Sequence, residues 1–140
     1  NNRVLGAATA GTIAEVQVAT DMIADDAVSY EKVDAEFTTS TALSAGGTVD
    51  VNFDAAQVFT LTPNGNVTLN ITNPKIGITK TVVITGSGTN NTLGFTVGGS
   101  SGTFNKIGGD YDDTSSTKNL VSITCVAATE FWYAINQIAS

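Results

Sequence analysis

A strict two-residue alternation beginning after residue 37 restricts this chain more than any other feature. In Thr48-Val49-Asp50-Val51-Asn52-Phe53 and Val67-Thr68-Leu69-Asn70-Ile71-Thr72, every second side chain is apolar. Successive strand residues point to opposite faces, whereas a helix repeats every 3.6 residues, so these are strands with one buried and one wet face. Phe59 and Leu61 follow the same rule, as do Thr92–Val97, Thr103–Ile107, Asn119–Ala127 and Glu130–Ile138. Thr81-Val82-Val83-Ile84-Thr85 is apolar on both faces, the mark of a central strand. The phase assigns Val51, Phe53, Leu61, Leu69, Ile71, Ile84 and Ile123 to the core. Pro63-Asn64-Gly65-Asn66, lying between alternating runs, is a strong hairpin signal, and Asn73-Pro74 closes that hairpin. Roughly eight or nine strands with no room for a crossover helix predict an antiparallel β-sandwich or jelly roll over residues 37–140.

Residues 1–36 read differently, as Ala, Asp and Glu with isolated aliphatics. Ile13, Val18, Ile23, Val28 and Val33 recur at a spacing that matches neither regular element. Five helical steps of about 100° put neighbours in this series about 140° apart, so one stripe cannot hold them. The segment is either an extended stalk or a helix that buries Val16, Ala19, Ile23, Ala27 and Tyr30 instead. On an extended polar segment a lone chain has nothing against which to bury the five aliphatics, whereas several chains about one axis would.

Composition removes most catalytic routes. The 140 residues contain no histidine and a single cysteine, Cys125. That excludes Ser-His-Asp and Cys-His arrangements, imidazole zinc sites and an intrachain disulfide. Thirteen acidic residues against six basic ones give a net charge of −7, with the cations scattered singly, which argues against nucleic acid as a partner. No apolar run approaches the roughly 18 residues of a membrane span. The expectation is a protein that is not an enzyme and that needs no cofactor or metal.

Four local motifs carry residues that could do chemistry. Gly86-Ser87-Gly88 follows a strand, as a phosphate-cradling loop would, but lacks the third glycine and the following helix, so it reads as a turn. Asp110-Tyr111-Asp112-Asp113 gathers three carboxylates without the order of a calcium loop, so it reads as a solvated turn. Cys125 shares the phase of Val121 and Ile123 and reads as a small buried side chain. In Phe131-Trp132-Tyr133 one face is core, and the opposite aromatic packs against a neighbour or stacks on a sugar. If this domain touches a ligand, the loops Gly98–Gly102 and Gly108–Ser116 are the expected contacts, with Tyr111 as the stacking residue.

The residues resemble those of bacteriophage tail or head fibre proteins. Thr20-Asp21-Met22-Ile23-Ala24-Asp25-Asp26-Ala27-Val28-Ser29-Tyr30-Glu31-Lys32-Val33 is similar to a fibre stalk repeat, and Arg3-Val4-Leu5-Gly6 to segments that precede such repeats. Phe53–Leu61, Gly65–Leu69 and Asn73-Pro74-Lys75-Ile76-Gly77 resemble a β-domain of phage structural proteins, with Tyr111–Thr114, Lys118-Asn119 and Glu130–Tyr133 matching its closing part. The resemblance implies a virion structural protein: a homotrimeric fibre or spike on the particle surface. Residues 1–36 would join other virion proteins, and the β-domain would face outward toward a host glycan or protein. The competing classes are a carbohydrate-binding module, another surface adhesin or pilin-like filament subunit, and, least supported, a glycan-degrading enzyme.

Overall fold

Parallel strands wound into coils, and not antiparallel hairpins, satisfy the alternation. The computed structural model describes residues 35–138. The stalk positions Ile13, Val18, Ile23, Val28 and Val33 lie outside them. The described residues belong to one compact unit, Val33–Ser140. They form a single helical turn, α1 (Ala35–Thr38), then nine strands: β1 (Ser40–Ala42), β2 (Gly47–Asn52), β3 (Val58–Leu61), β4 (Val67–Thr72), β5 (Thr79–Thr85), β6 (Leu93–Val97), β7 (Thr103–Gly108), β8 (Lys118–Ala127) and β9 (Glu130–Ile138).

Strands β1, β3 and β5 stack parallel in one sheet, while β2, β4 and β6 stack parallel in the other. The chain therefore alternates between sheets and returns to the first one step along. Ser40 lies beside Val58 and Val58 beside Thr81, while Gly47 lies beside Val67 and Val67 beside Leu93. This is a β-solenoid of stacked coils. After the third coil β7 goes to the far edge, and the β8–β9 hairpin fills the gap between β5 and β7. The six-stranded order is β1-β3-β5-β8-β9-β7, and only β8 runs against its neighbours.

The expected antiparallel sandwich or jelly roll is therefore incorrect, while the extended or partly helical stalk expected before it falls almost wholly outside the described residues. The turn itself forms, but it makes a corner and not a hairpin. A hairpin turn would join two paired strands, but Pro63–Asn66 joins β3 in one sheet to β4 in the other. The Asn64 N–H donates to the Ala45 carbonyl at 2.6 Å, and the Gly47 N–H donates to the Asn66 carbonyl at 3.0 Å. The corner bonds to the corner of the preceding coil, as stacking requires. The next corner, after β4, does the same. The Asn73 amide donates to Asn52 Oδ1 at 2.9 Å, and Lys75 pairs with Asp54 at 2.7 Å. Parallel strands usually need a long crossover, but here one whole coil is the crossover.

Each coil drops its apolar side chains onto those of the next. Val49, Leu69 and Phe95 share one in-register column, and Phe59, Val82, Val121 and Ile135 share another across the facing sheet. All seven core positions chosen from the alternation are buried. Aromatic rings plug the end where both sheets stop. Phe95 stacks on Phe104 at 5.2 Å, Phe104 on Phe131 at 5.0 Å, and Tyr133 lies 4.5 Å from Phe95.

A cation enters the space between the sheets. Lys80 is in phase with Val82 and Ile84 on β5 and is 0% exposed. Its ammonium lies 5.9 Å from the ring centroids of both Phe37 and Phe53, so aromatic faces replace part of its lost water. The same ammonium donates to Gln57 Oε1 at 3.4 Å.

Candidate functional site

Three features carry the concentrated polar or exposed apolar chemistry of the described residues. They are a loop clasp built on Asp113, the outer face of the three-stranded sheet, and the outer face of the six-stranded sheet.

The clasp joins the β5–β6 loop to the β7–β8 loop. Asp113 is 8% exposed, and its carboxylate accepts five hydrogen bonds. Oδ1 takes the Ser87 N–H at 2.9 Å and the Tyr111 hydroxyl at 2.8 Å. Oδ2 takes the Ser87 hydroxyl at 2.9 Å and the Thr89 and Asn91 amides at 3.2 and 2.8 Å. Burial alone would raise the carboxyl's pKa; the donated bonds, led by the amides of Ser87 and Asn91, outweigh it and hold the value at about 2. Gly86 makes this approach feasible, because a Cβ there would sit 2.2 Å from the Thr114 carbonyl oxygen. Asn119, fully buried on β8, takes the Asp112 amide at 2.9 Å and donates to the Asp112 carbonyl at 2.7 Å, locking the same loop from beneath.

This geometry locates three of the sequence motifs. Gly86-Ser87-Gly88 does meet an anion, the carboxylate of Asp113, but only through the Ser87 amide and hydroxyl; the Gly88 N–H donates to the main-chain carbonyl of Asp113 at 2.6 Å and the Gly86 N–H to that of Thr117 at 2.8 Å. The three neighbouring carboxylates do not converge. Asp110 pairs with Lys106, Asp112 caps the Thr114 amide at 2.8 Å, and Asp113 is occupied as described. Among the described residues no group of three or more such side chains could hold a metal ion. Tyr111 is half-buried, with its ring against the core and its hydroxyl given to Asp113. Burial first, then that bond and the charges of Asp113 and Asp112, push its pKa upward. The structure thus gives Tyr111 an internal partner. Cys125 is buried, donates to the Ala127 carbonyl at 3.2 Å, and has its thiol pKa raised by burial.

The outer face of the three-stranded sheet is closed by its own bonds. Asp50, Asn70 and Thr96 stand side by side in register. The Asn70 amide donates to Asp50 at 2.7 Å, while its carbonyl accepts the Thr96 hydroxyl at 3.1 Å and the Gly99 amide at 2.8 Å. That last bond ties down the Gly98–Gly102 loop, where Gly98 and Gly99 take φ of 55° and 75°.

The outer face of the six-stranded sheet is different. Its rows read Thr79, Thr124, Trp132 and Asn105; then Val58, Thr81, Ser122 and Ala134; then Ala42, Thr60, Val83, Leu120 and Asn136; then Thr85, Lys118 and Ile138. Leu120, Trp132 and Ile138 are exposed at 37%, 49% and 68%. Charge occurs only at the rim. Lys118 donates to Thr85 at 2.6 Å, and Glu130 accepts from Trp132 Nε1 at 3.1 Å and from Asn105 at 2.9 Å. A hollow of about 270 Å³ opens on the same face, lined by Ala42, Thr60, Thr62, Val83, Thr85 and Lys118 among others. Leu120 was missed in the sequence, although its phase betrays it: it falls between Ser122 and Lys118, opposite to buried Asn119 and Val121. Lys80 carries the converse signal, a charge in the apolar phase. No family model, curated protein or solved structure matches the chain.

Proposed function

We propose that this chain is a virion structural protein, a homotrimeric component of a bacteriophage fibre or spike displayed on the particle. The observation that carries this reading is the directional build of the described unit. Chain enters at β1 and β2, whose outer edges pair with no strand among the described residues; three coils stack onward, and the far end is closed by the β8–β9 hairpin and an aromatic plug. A solenoid stacks along one axis and needs a closed terminal repeat for solubility, which suits the outer end of a fibre. The Asp113 clasp and the buried Asn119 serve rigidity, the property a particle appendage requires. In this reading residues 1–36 join other virion proteins, and the closed end faces the host surface, where a glycan or protein is met. The carbohydrate-binding alternative expects a strip of exposed aromatics, whereas Trp132 stands in its row with Thr79, Thr124 and Asn105. Native mass spectrometry of the intact chain tests the reading: a trimer is expected, and a monomer or an open-ended polymer overturns it.

A further inference from the structure

We infer that the outer face of the six-stranded sheet is where copies of this chain meet, Trp132 of one copy entering the hollow of the next. The inference rests on the trimeric reading above and names its contact surface. Three observations carry it.

The first is charge. A chain of −7 repels its own copies, and contact costs least where no charge must be stripped of water. Across this face the charged groups are Lys118 and Glu130, both at the rim and both engaged within their own chain. The opposite face presents Asp50 in its central row.

The second is extent. Six strands about 4.8 Å apart span roughly 24 Å, and the seven residues of β5 run about 23 Å. The face is therefore roughly 550 Å² in projection, so each of two neighbours takes a contact of the small class, under the ~800 Å² per partner of a standard interface. Exposed Leu120, Trp132 and Ile138 on one such surface mark an interaction site.

The third is asymmetry. In a two-fold dimer a patch meets itself, but in a three-fold ring each copy offers one patch to the neighbour on one side and a different patch to the other. The face provides two different patches at opposite corners. Trp132, on β9 in the Thr79 row, projects beside the small residues Ser122 and Ala134; the hollow lies across β1, β3 and β5 in the Val83 and Thr85 rows. An axis running in front of the face, between the two patches, brings each projecting ring to a neighbour's hollow, with Leu120 in the middle, nearest the axis. Lys118 at the hollow's lip then faces the incoming indole, a cation over an aromatic face.

The chain has a single tryptophan, so its own fluorescence reads the contact. The experiment is acrylamide quenching of the intact chain, with N-acetyltryptophanamide as the fully accessible reference, alongside native mass. A trimer whose Trp132 emission is blue-shifted and whose quenching is severalfold below the reference supports the inference. Leu120→Asp, at an exposed position, should restore quenching severalfold at unchanged far-ultraviolet circular dichroism. A trimer whose Trp132 is quenched as freely as an indole half-open to solvent overturns the inference and leaves the trimeric reading standing. A monomeric wild-type chain overturns that reading, and the inference with it. The wild-type comparison requires no substitution, so it decides the matter independently of how the variant folds.

Discussion

The two outer faces cover the same core and could hardly treat their polar groups more differently. On the three-stranded sheet the central row is spent internally: Asn70 donates to Asp50 and accepts from both Thr96 and Gly99. On the six-stranded sheet the rows mix Thr, Ser and Ala with Val83, Leu120 and Trp132, and charge is confined to the rim. A buried amide pairs because leaving it unpaired costs about 1–3 kcal/mol. An exposed leucine stays exposed only at the expense of its hydration, so a surface that gathers several marks where another molecule sits. One face serves the fold. The other is where, on the proposed reading, copies meet.

Breaking what both faces share should have the largest effect. Leu69 backs the three-stranded face and Ile123 the six-stranded one, and both are fully buried. Leu69→Ala and Ile123→Ala should each cost about 2–5 kcal/mol, measured by denaturant unfolding. If only one does, the two sheets do not share a core.

Next in size is the clasp. Asp113→Ala leaves five donors facing no acceptor and should cost about 3 kcal/mol by the same measurement, at unchanged native mass. The clasp also makes stability depend on acid. The folded carboxyl titrates at about 2, below its ordinary 3.8, so its contribution is present in full above about pH 4 and is lost as pH falls through 2. That contribution is about 2 kcal/mol at most, and Asp113→Asn should lack this acid step. A variant that keeps the step assigns it to another carboxyl.

The smallest changes in stability draw the sharpest contrast. Asn70→Ala should lose about 1–2 kcal/mol and leave assembly intact, since its bonds are internal. Leu120→Ser should move stability by less than about 0.5 kcal/mol and weaken assembly. Sedimentation beside thermal unfolding separates the two. The reverse pattern would exchange the roles assigned to the faces.

Strand positions and faces were legible in the sequence because burial on one side imposes period two whatever the strand's neighbour. Val51, Leu69 and Ile84 were placed correctly on that ground alone. Strand direction was not legible. The same Asn64-Gly65 turn serves a hairpin or a solenoid corner, and only its bond to Ala45 in the preceding coil tells them apart. Asp113 was hidden for a similar reason. Its local sequence is that of a wet acidic turn, and most of its donors come from Ser87, Thr89 and Asn91, on a different loop. Lys80 and Leu120 were visible in principle, each being the wrong polarity for its phase.

Hydroxyl-radical footprinting of the intact chain at high and low concentration tests the contrast between the faces most directly. Trp132, Leu120 and Ile138 are exposed on the six-stranded face, while Ile76, 69% exposed in the corner after β4 and in none of that face's rows, serves as the internal reference. The account predicts that assembly suppresses labelling of the first three severalfold and leaves Ile76 unchanged. Equal labelling of all four in a chain shown to be assembled would contradict it.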